Sequence, residues 1–246
     1  EPTALVTRIR FRVDGAIRDH AEVPRKVHNS LLARAKIVAN LDITERKRPQ
    51  DGFFRLAETI PGNLAWARAS VLPTAEGERL CLTLCQPEAG VEKLEDIGLS
   101  PASLDRLRGL LRRPRGLVFF VGPGQSGRTT LAYACLRELA SPQRVVLTAE
   151  IAVERAIPGV HQSAISPMHG MYAGDAFRAM LRQAPDVVFL STTSDAESAR
   201  HLLDAGRERC LALSTLHVGD AASAVLRLQD MGMEPYLLAE ALSGVV

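Results

Sequence analysis

The sequence predicts an α/β protein: a mostly parallel sheet with helices on both faces, preceded by a smaller α+β domain. Two observations predict it. From about residue 98, apolar strand-like runs alternate with amphipathic helical runs, the pattern of a parallel sheet covered on both sides. Before that, short strand-like runs follow one another around a single helical stretch, and the loose segment "QPEAGVEKLEDIGLSPASL" separates the two regions. The expected domains are therefore residues 1–97 and 98–246.

In the first region, "VTRIRFRVDGAIRDH" alternates apolar and polar residues around Asp14-Gly15, which predicts a β-hairpin. "PRKVHNSLLARAKIVANL" places Val27, Leu31, Ala35 and Val38 at helical spacing, with Pro24 just upstream, so that face is expected inward. "LDITERKRPQDG" reads as a charged loop. "FFRLA", "LAWARASVL" and "RLCLTLC" read as strands, separated by Pro61-Gly62 and by "PTAEGE". Cys81 and Cys85 are four apart on the last of these, so both are expected to face one core.

In the second region, "PASLDRLRGLLRR" reads as a helix capped by Ser100 with Pro101 at its first position. "GLVFFVG" is a buried strand, and "RTTLAYACLRELA" is the helix after it. "RVVLTAE", "DVVFLS" and "RCLALST" are further strands, with "GDAFRAMLRQ" and "DAESARHLLDAG" as helices between them.

Composition narrows the function classes. The chain has 246 residues, 46% of them apolar, enough for real cores. A net charge of +2 gives no electrostatic case for a nucleic-acid partner. Four cysteines without a C-x-x-C pair give neither a disulfide framework nor a zinc site, and point to a reducing, cytoplasmic compartment. No apolar run approaches the roughly 18 residues of a membrane span, and no signal peptide opens the chain. Because the first residue is not Met, the chain reads as a fragment.

One stretch carries chemistry. "VFFVGPGQSGRTT", residues 118–130, has the form of a phosphate-binding loop, G-x-x-x-x-G-K-[ST], between a strand and a helix. Gly122 and Gly127 frame it, with Pro123, Gly124, Gln125 and Ser126 between them. Backbone N–H groups and the positive end of the following helix can cradle phosphate without any side chain. Thr129 supplies the hydroxyl that can ligate Mg²⁺, and Thr130 follows it. Arg128 stands where lysine is usual. A broad, forked guanidinium does not replace a compact ammonium at a crowded site. No lysine of the same region can stand in, because the four in the chain are Lys26, Lys36, Lys47 and Lys93. Gln125 is a second irregularity if the backbone there needs positive φ.

Further motifs occur in order along nearly the whole chain: Glu1-Pro2, "RFRVDG" (10–15), "ANLDITERKRPQDG" (39–52), "RASVLPTAEGER" (68–79), "FRAMLRQAPDVV" (177–188) and "STLHVGDA" (214–221). Together they resemble the hexameric ATPases of type II secretion and type IV pilus assembly. The first matches the end of that family's "DIHIEP" segment and the second its R-x-R-x-D-G hairpin. The third is close to "ANLDIAERRLPQDG". The fourth matches R-x-S-x-x-P-T-x-x-G-E-R, which is more like extension motors than retraction motors. The last is similar to the histidine box, S-T-L-H-T-N-D-A.

The resemblance implies a RecA-like P-loop core behind a PAS-like domain, ATP or ADP with Mg²⁺ as ligands, and ATP hydrolysis as the activity. It also implies a hexamer or a mixed ring with a paralogue, sitting at the cytoplasmic face of the inner membrane. Membrane contact would go through platform proteins. Arg10, Arg12, Arg55 and Arg68 resemble arginines that reach the phosphates when the first domain closes on the second, the alternative being a solvated strand face. His217 resembles the histidine that senses the γ-phosphate, the alternative being a structural role. The family's partner-docking domain and four-cysteine zinc module have no counterpart in the sequence.

The departures cluster where the family does its chemistry. Its aspartate box, E-D-P-V-E, is Glu150-Ile151-Ala152-Val153-Glu154 here, keeping Glu150 and Glu154 as candidate catalytic carboxylates. Thr192 occupies the position of the family's water-polarising glutamate, and Ser194 that of an arginine. A threonine is no general base near neutral pH. If each lost group costs a few kcal/mol of transition-state stabilisation, turnover falls by roughly 10³-fold or more. Three readings stay open: a nucleotide-binding ring subunit with weak or no hydrolysis, a working secretion or pilus-extension ATPase, and a structural subunit that binds no nucleotide.

Overall fold

The structure, a computed structural model, describes residues 1–56, 66–85, 93–124, 126–165 and 171–246, without the side chains of Arg55, Trp66 and Cys85. Pro61-Gly62 and Gln125 lie outside the described residues. The chain divides into two compact units, Glu1–Pro87 and Glu88–Val246.

The first unit opens with an antiparallel hairpin of β1 (Val6–Val13) and β2 (Ala16–Pro24). Asp14 and Gly15 both adopt positive φ, 50° and 79°, the two-residue turn that matches the right-handed strand twist. Helix α1 (His28–Val38) follows, then an antiparallel sheet in the order β3 (Gln50–Arg55), β4 (Trp66–Thr74) and β5 (Gly77–Cys85). Leu32, Ala39, Leu41, Ala69 and Val71 form its core.

Two expectations about this unit are corrected. Helix α1 buries His28, Leu32 and Lys36, the stripe one residue beyond the expected one, and leaves Leu31 and Val38 exposed. The reason is a buried ion pair: Lys36 Nζ lies 2.5 Å from Glu78 Oε1 and also donates to the Glu45 carbonyl at 2.7 Å. An apolar pattern sends a lysine outward, but its partner on β5 holds this one in. Cys81 is exposed on β5, because past Leu80 that edge strand leaves the core.

The second unit is built on six parallel strands in the order β11-β6-β10-β9-β7-β8. These are β6 (Gly116–Val121), β7 (Val146–Glu150), β8 (Val160–Ala164), β9 (Val187–Leu190), β10 (Leu211–Leu216) and β11 (Leu242–Val245). The helices are α2 (Pro101–Leu111), α3 (Arg128–Leu139), α4 (Ala173–Leu181), α5 (Ala196–Glu208), α6 (Ala221–Asp230) and α7 (Pro235–Ala241). Ser100 caps α2 as expected, accepting from Ser103 N at 3.2 Å.

Side chains alternate between the two faces of the sheet. Leu117 and Phe119 of β6 join Val188, Leu190 and Ala212 under α4, α5 and α7. Val118 and Phe120 join Phe189, Leu211 and Leu213 under α2 and α3. Both faces are thus covered, which is why β6 and β10 are near-continuous apolar runs. Because every strand runs the same way, the carboxyl ends of β6, β7, β9 and β10 share one edge of the sheet. That edge is where open parallel sheets bind ligands.

Candidate functional site

The loop after β6 is shaped for close approach of an anion. Gly122 has φ +144°, and a Cβ there would lie 2.5 Å from Ser126 Oγ, so any other residue would fill the cradle. Gly127, at φ 90°, is the N-cap of α3 and provides no side-chain cap. The first N–H groups of the helix therefore remain available to an anion. Pro123, Gly124, Ser126 and Thr129 are exposed along the loop, and Thr130 is half-buried. Thr129 is the residue whose hydroxyl would hold Mg²⁺ there, as the Ser or Thr directly after the lysine position does in this motif.

Arg128 does not lie free above the loop. Its Nη1 donates to the Leu216 carbonyl at 3.1 Å, and its Nη2 lies 2.9 Å from Nδ1 and 3.1 Å from Nε2 of His217. The structure thus brings two sequence candidates together across the edge, from the start of α3 to the end of β10. Burial lowers the pKa of the Arg128 guanidinium. Burial first, then the Arg128 charge, lower that of His217. The imidazole is accordingly neutral near pH 7 and can accept a hydrogen bond.

Glu150, at the end of β7, is fully buried and already occupied. The Tyr133 hydroxyl from α3 and the Thr148 hydroxyl both donate to it, and Gln162 Nε2 of β8 donates at 3.0 Å. Burial, then the neighbouring carboxylate charge, drives the pKa of Tyr133 far up, so it stays a donor. The same Tyr133 oxygen accepts from the Glu154 backbone N–H at 3.2 Å. Glu150 therefore ties the phosphate-loop helix to β7 and β8. Glu154 is exposed on the following loop.

Hydroxyl groups take over between β9 and β10. The Thr193 and Ser214 hydroxyls are 2.7 Å apart, Ser214 Oγ donates to the Leu190 carbonyl at 2.8 Å, and Thr215 Oγ1 donates to the Ser191 carbonyl at 2.7 Å. Ser191 Oγ accepts from Ile151 N at 3.1 Å, joining the degenerate aspartate box to the same ladder. Thr192 sits half-buried in the middle of it. Asp195 caps α5, accepting from Ser198 N at 2.8 Å and Ser198 Oγ at 3.0 Å.

The arginines expected to reach phosphate all belong to the first unit, where the three whose side chains are described meet local partners. Arg10 pairs with Glu1 at 2.5 Å, Arg12 donates to the Gly15 carbonyl at 2.7 Å, and Arg68 pairs with Asp51 at 3.0 Å. All three are exposed. The Arg55 side chain lies outside the described residues. Sequence reasoning missed Tyr133, Thr148 and Gln162. Thr148 was within reach, since it lies two residues before Glu150 and so shares its face of β7.

This architecture, six parallel strands with a glycine-framed phosphate loop leading into α3, defines a RecA-like P-loop protein. The fold is shared with solved structures. The pilus retraction motor PilT with bound ADP superposes with a TM-score of 0.74 at 20% identity, covering 96% of this chain and 69% of that one. The ATPase DotB of Legionella pneumophila superposes at 0.64 and 21% identity, covering 95% and 67%. The chain belongs to the type II/IV secretion system protein family, which matches residues 1–246.

Among its relatives is the type II secretion system protein HxcR of Pseudomonas aeruginosa, 41% identical over all of this chain and 52% of its own length. The type II secretion system ATPase E of Vibrio cholerae is 40% identical over 97% of this chain and 47% of its own. The type IV pilus assembly ATPase PilB of Thermus thermophilus is 34% identical over all of this chain and 27% of its own. The chain thus spans about half the length of the first two. Among the described residues, no helix is long and apolar enough to cross a membrane.

Proposed function

We propose that this chain is the motor-core portion of a secretion or pilus-assembly ATPase that binds ATP or ADP at residues 122–130 and hydrolyses ATP weakly or not at all. The observation that carries the reading is the paired state of its polar groups. Glu150, a candidate catalytic carboxylate, is saturated by Tyr133, Thr148 and Gln162. Thr192, at the position of the family's glutamate, has no basicity to polarise water.

Binding asks less of the site. The N–H groups of the loop and of α3 would hold the phosphates, Gly122 keeps the cradle open, and Thr129 would hold Mg²⁺. When bound, Mg²⁺ takes up charge from the phosphate oxygens. Hydrolysis needs in addition a water and a residue that positions it. Glu154, four residues beyond Glu150, is an exposed carboxylate that could serve. On the motif resemblance, the chain would join a homo-oligomeric or mixed ring at the cytoplasmic face of the inner membrane. Arg10, Arg12, Arg55 and Arg68 then contribute to phosphate contacts on domain closure.

A second reading, a working secretion or pilus-extension ATPase, is favoured by the retained Thr129, Asp195 and His217. Isothermal titration with ATP and Mg²⁺ and a steady-state phosphate-release assay test both. Micromolar binding with release near background supports the proposal. Turnover on the order of 1 per second, within the range of ordinary enzymes, overturns it in favour of the second reading. Absence of binding leaves a structural subunit.

A further inference from the structure

An arginine in the lysine position of a phosphate loop raises a geometric problem. A lysine ammonium is a point charge that needs only reach, whereas a guanidinium must also be turned so that its fork faces the anion. The structure shows how this chain turns it. The Arg128 stem passes over Gly122: its Cγ lies 3.9 Å from the place a Cβ would take there. The Nη end then meets the end of β10, with Nη1 on the Leu216 carbonyl at 3.1 Å and Nη2 against the His217 ring, 2.9 Å from Nδ1 and 3.1 Å from Nε2, one of which is the acceptor of the neutral ring. A guanidinium has five N–H groups. Two of them serve these contacts, which leaves Nε–H and the remaining hydrogens for phosphate.

We propose that His217 is a positioning residue for the loop cation, a neutral acceptor that, with the Leu216 carbonyl, fixes the Arg128 fork so that its remaining N–H groups face bound phosphate. Its role is exerted through Arg128, and it rests on reading the loop as the nucleotide site. A neutral ring is required, because a protonated imidazole has no acceptor and would repel the guanidinium. Arg128 is the charged group that acts on the ring, and together with burial it keeps the ring unprotonated. A lysine at residue 128 would need no second anchor.

Two measurements test it. In the first, the histidine ring nitrogens are titrated by NMR without nucleotide, in the wild type and in Arg128→Ala. His217 is expected to titrate below the ordinary histidine range, and to move up when Arg128 is removed. An unchanged midpoint means that the pair does not exist in solution, and the proposal fails there whatever the loop binds.

In the second, affinity for the non-hydrolysable analogue AMP-PNP with Mg²⁺ is measured for the wild type, His217→Ala, His217→Gln, Arg128→Ala and the Arg128→Ala/His217→Ala double variant. His217→Ala is expected to weaken binding roughly tenfold, the usual effect of losing a hydrogen bond to a charged group. Glutamine, a neutral acceptor, restores most of it. In the Arg128→Ala background, removing His217 changes nothing further. An equal loss in both backgrounds means that the ring acts independently of Arg128, and tighter binding by His217→Ala means that it competes with phosphate; either overturns the proposal. A wild type that binds no AMP-PNP overturns the proposed function and this role with it, while the titration still reports the pair.

Discussion

Lys36 Nζ and Glu78 Oε1 meet at 2.5 Å inside the first unit, with side-chain exposures of 1% and 8%. A charge pair so far from water is costly to break from one side only. Lys36→Met is expected to destabilise the protein by about 3–5 kcal/mol, because it strands a buried carboxylate. Adding Glu78→Leu to it should recover most of that loss, since an apolar pair of similar volume is often neutral. Urea denaturation of the three proteins checks both statements. A single variant as stable as the wild type would remove the ion pair as the reason α1 turns its Lys36 face inward.

Tyr133 links the phosphate-loop helix to Glu150 and to the Glu154 backbone. Tyr133→Phe keeps the ring and removes both bonds. A buried carboxylate that loses a donor costs about 1–3 kcal/mol, which thermal unfolding resolves. Glu150→Gln is expected to cost less, because the amide oxygen still accepts from Thr148 and Gln162 while the amide nitrogen can donate to the Tyr133 oxygen. The reverse order would mean that the Glu150 charge, rather than its hydrogen bonds, holds the edge together.

Arg128→Lys combined with Thr192→Glu replaces the two groups whose loss is held responsible for weak hydrolysis. Phosphate release is expected to rise by roughly 10³-fold over the wild type. Each single change should give much less, since the ammonium and the oriented water act on one transition state. Unchanged release in the double variant, with AMP-PNP still bound, would place the defect elsewhere.

Asp195 caps α5, and its pKa lies below the ordinary carboxylate range. Burial works against that shift, but the Ser198 N–H, the Ser198 hydroxyl and the Ser194 hydroxyl outweigh it. With the folded pKa below the unfolded value of about 3.9, the charge stabilises the fold above that pH. Its contribution is lost as pH falls through the folded value. Asp195→Asn keeps a cap but not a charge. Its stability deficit is therefore expected to be steady near pH 6 and to shrink toward pH 3. A deficit that does not change with pH would show that the cap works without its charge.

The second unit was largely legible in the sequence because its elements are repeated, strongly patterned and locally closed. Buried parallel strands announce themselves as apolar runs, and Ser100 before Pro101 or Gly122 and Gly127 around a loop have one conformational purpose each. Strand β8 was missed because Val160–Ala164, half polar, has no such run. The first unit was read less well. The helix face slipped by one residue at Lys36, and Cys81 proved exposed, because each outcome depends on a partner or an edge far away in the chain.

What the sequence determined by itself was the identity of every group at the carboxyl edge of the sheet: an arginine for a lysine, a threonine for a glutamate, a histidine after β10. Only the tertiary structure decided which of them are already spoken for. Arg128 meets His217 across 89 positions of sequence, and Tyr133 meets Glu150 from a helix to a strand. Hydrogen-bond partners are fixed by distance and direction in the folded chain. Residue type sets what a group can donate or accept, and packing sets whether the offer is taken.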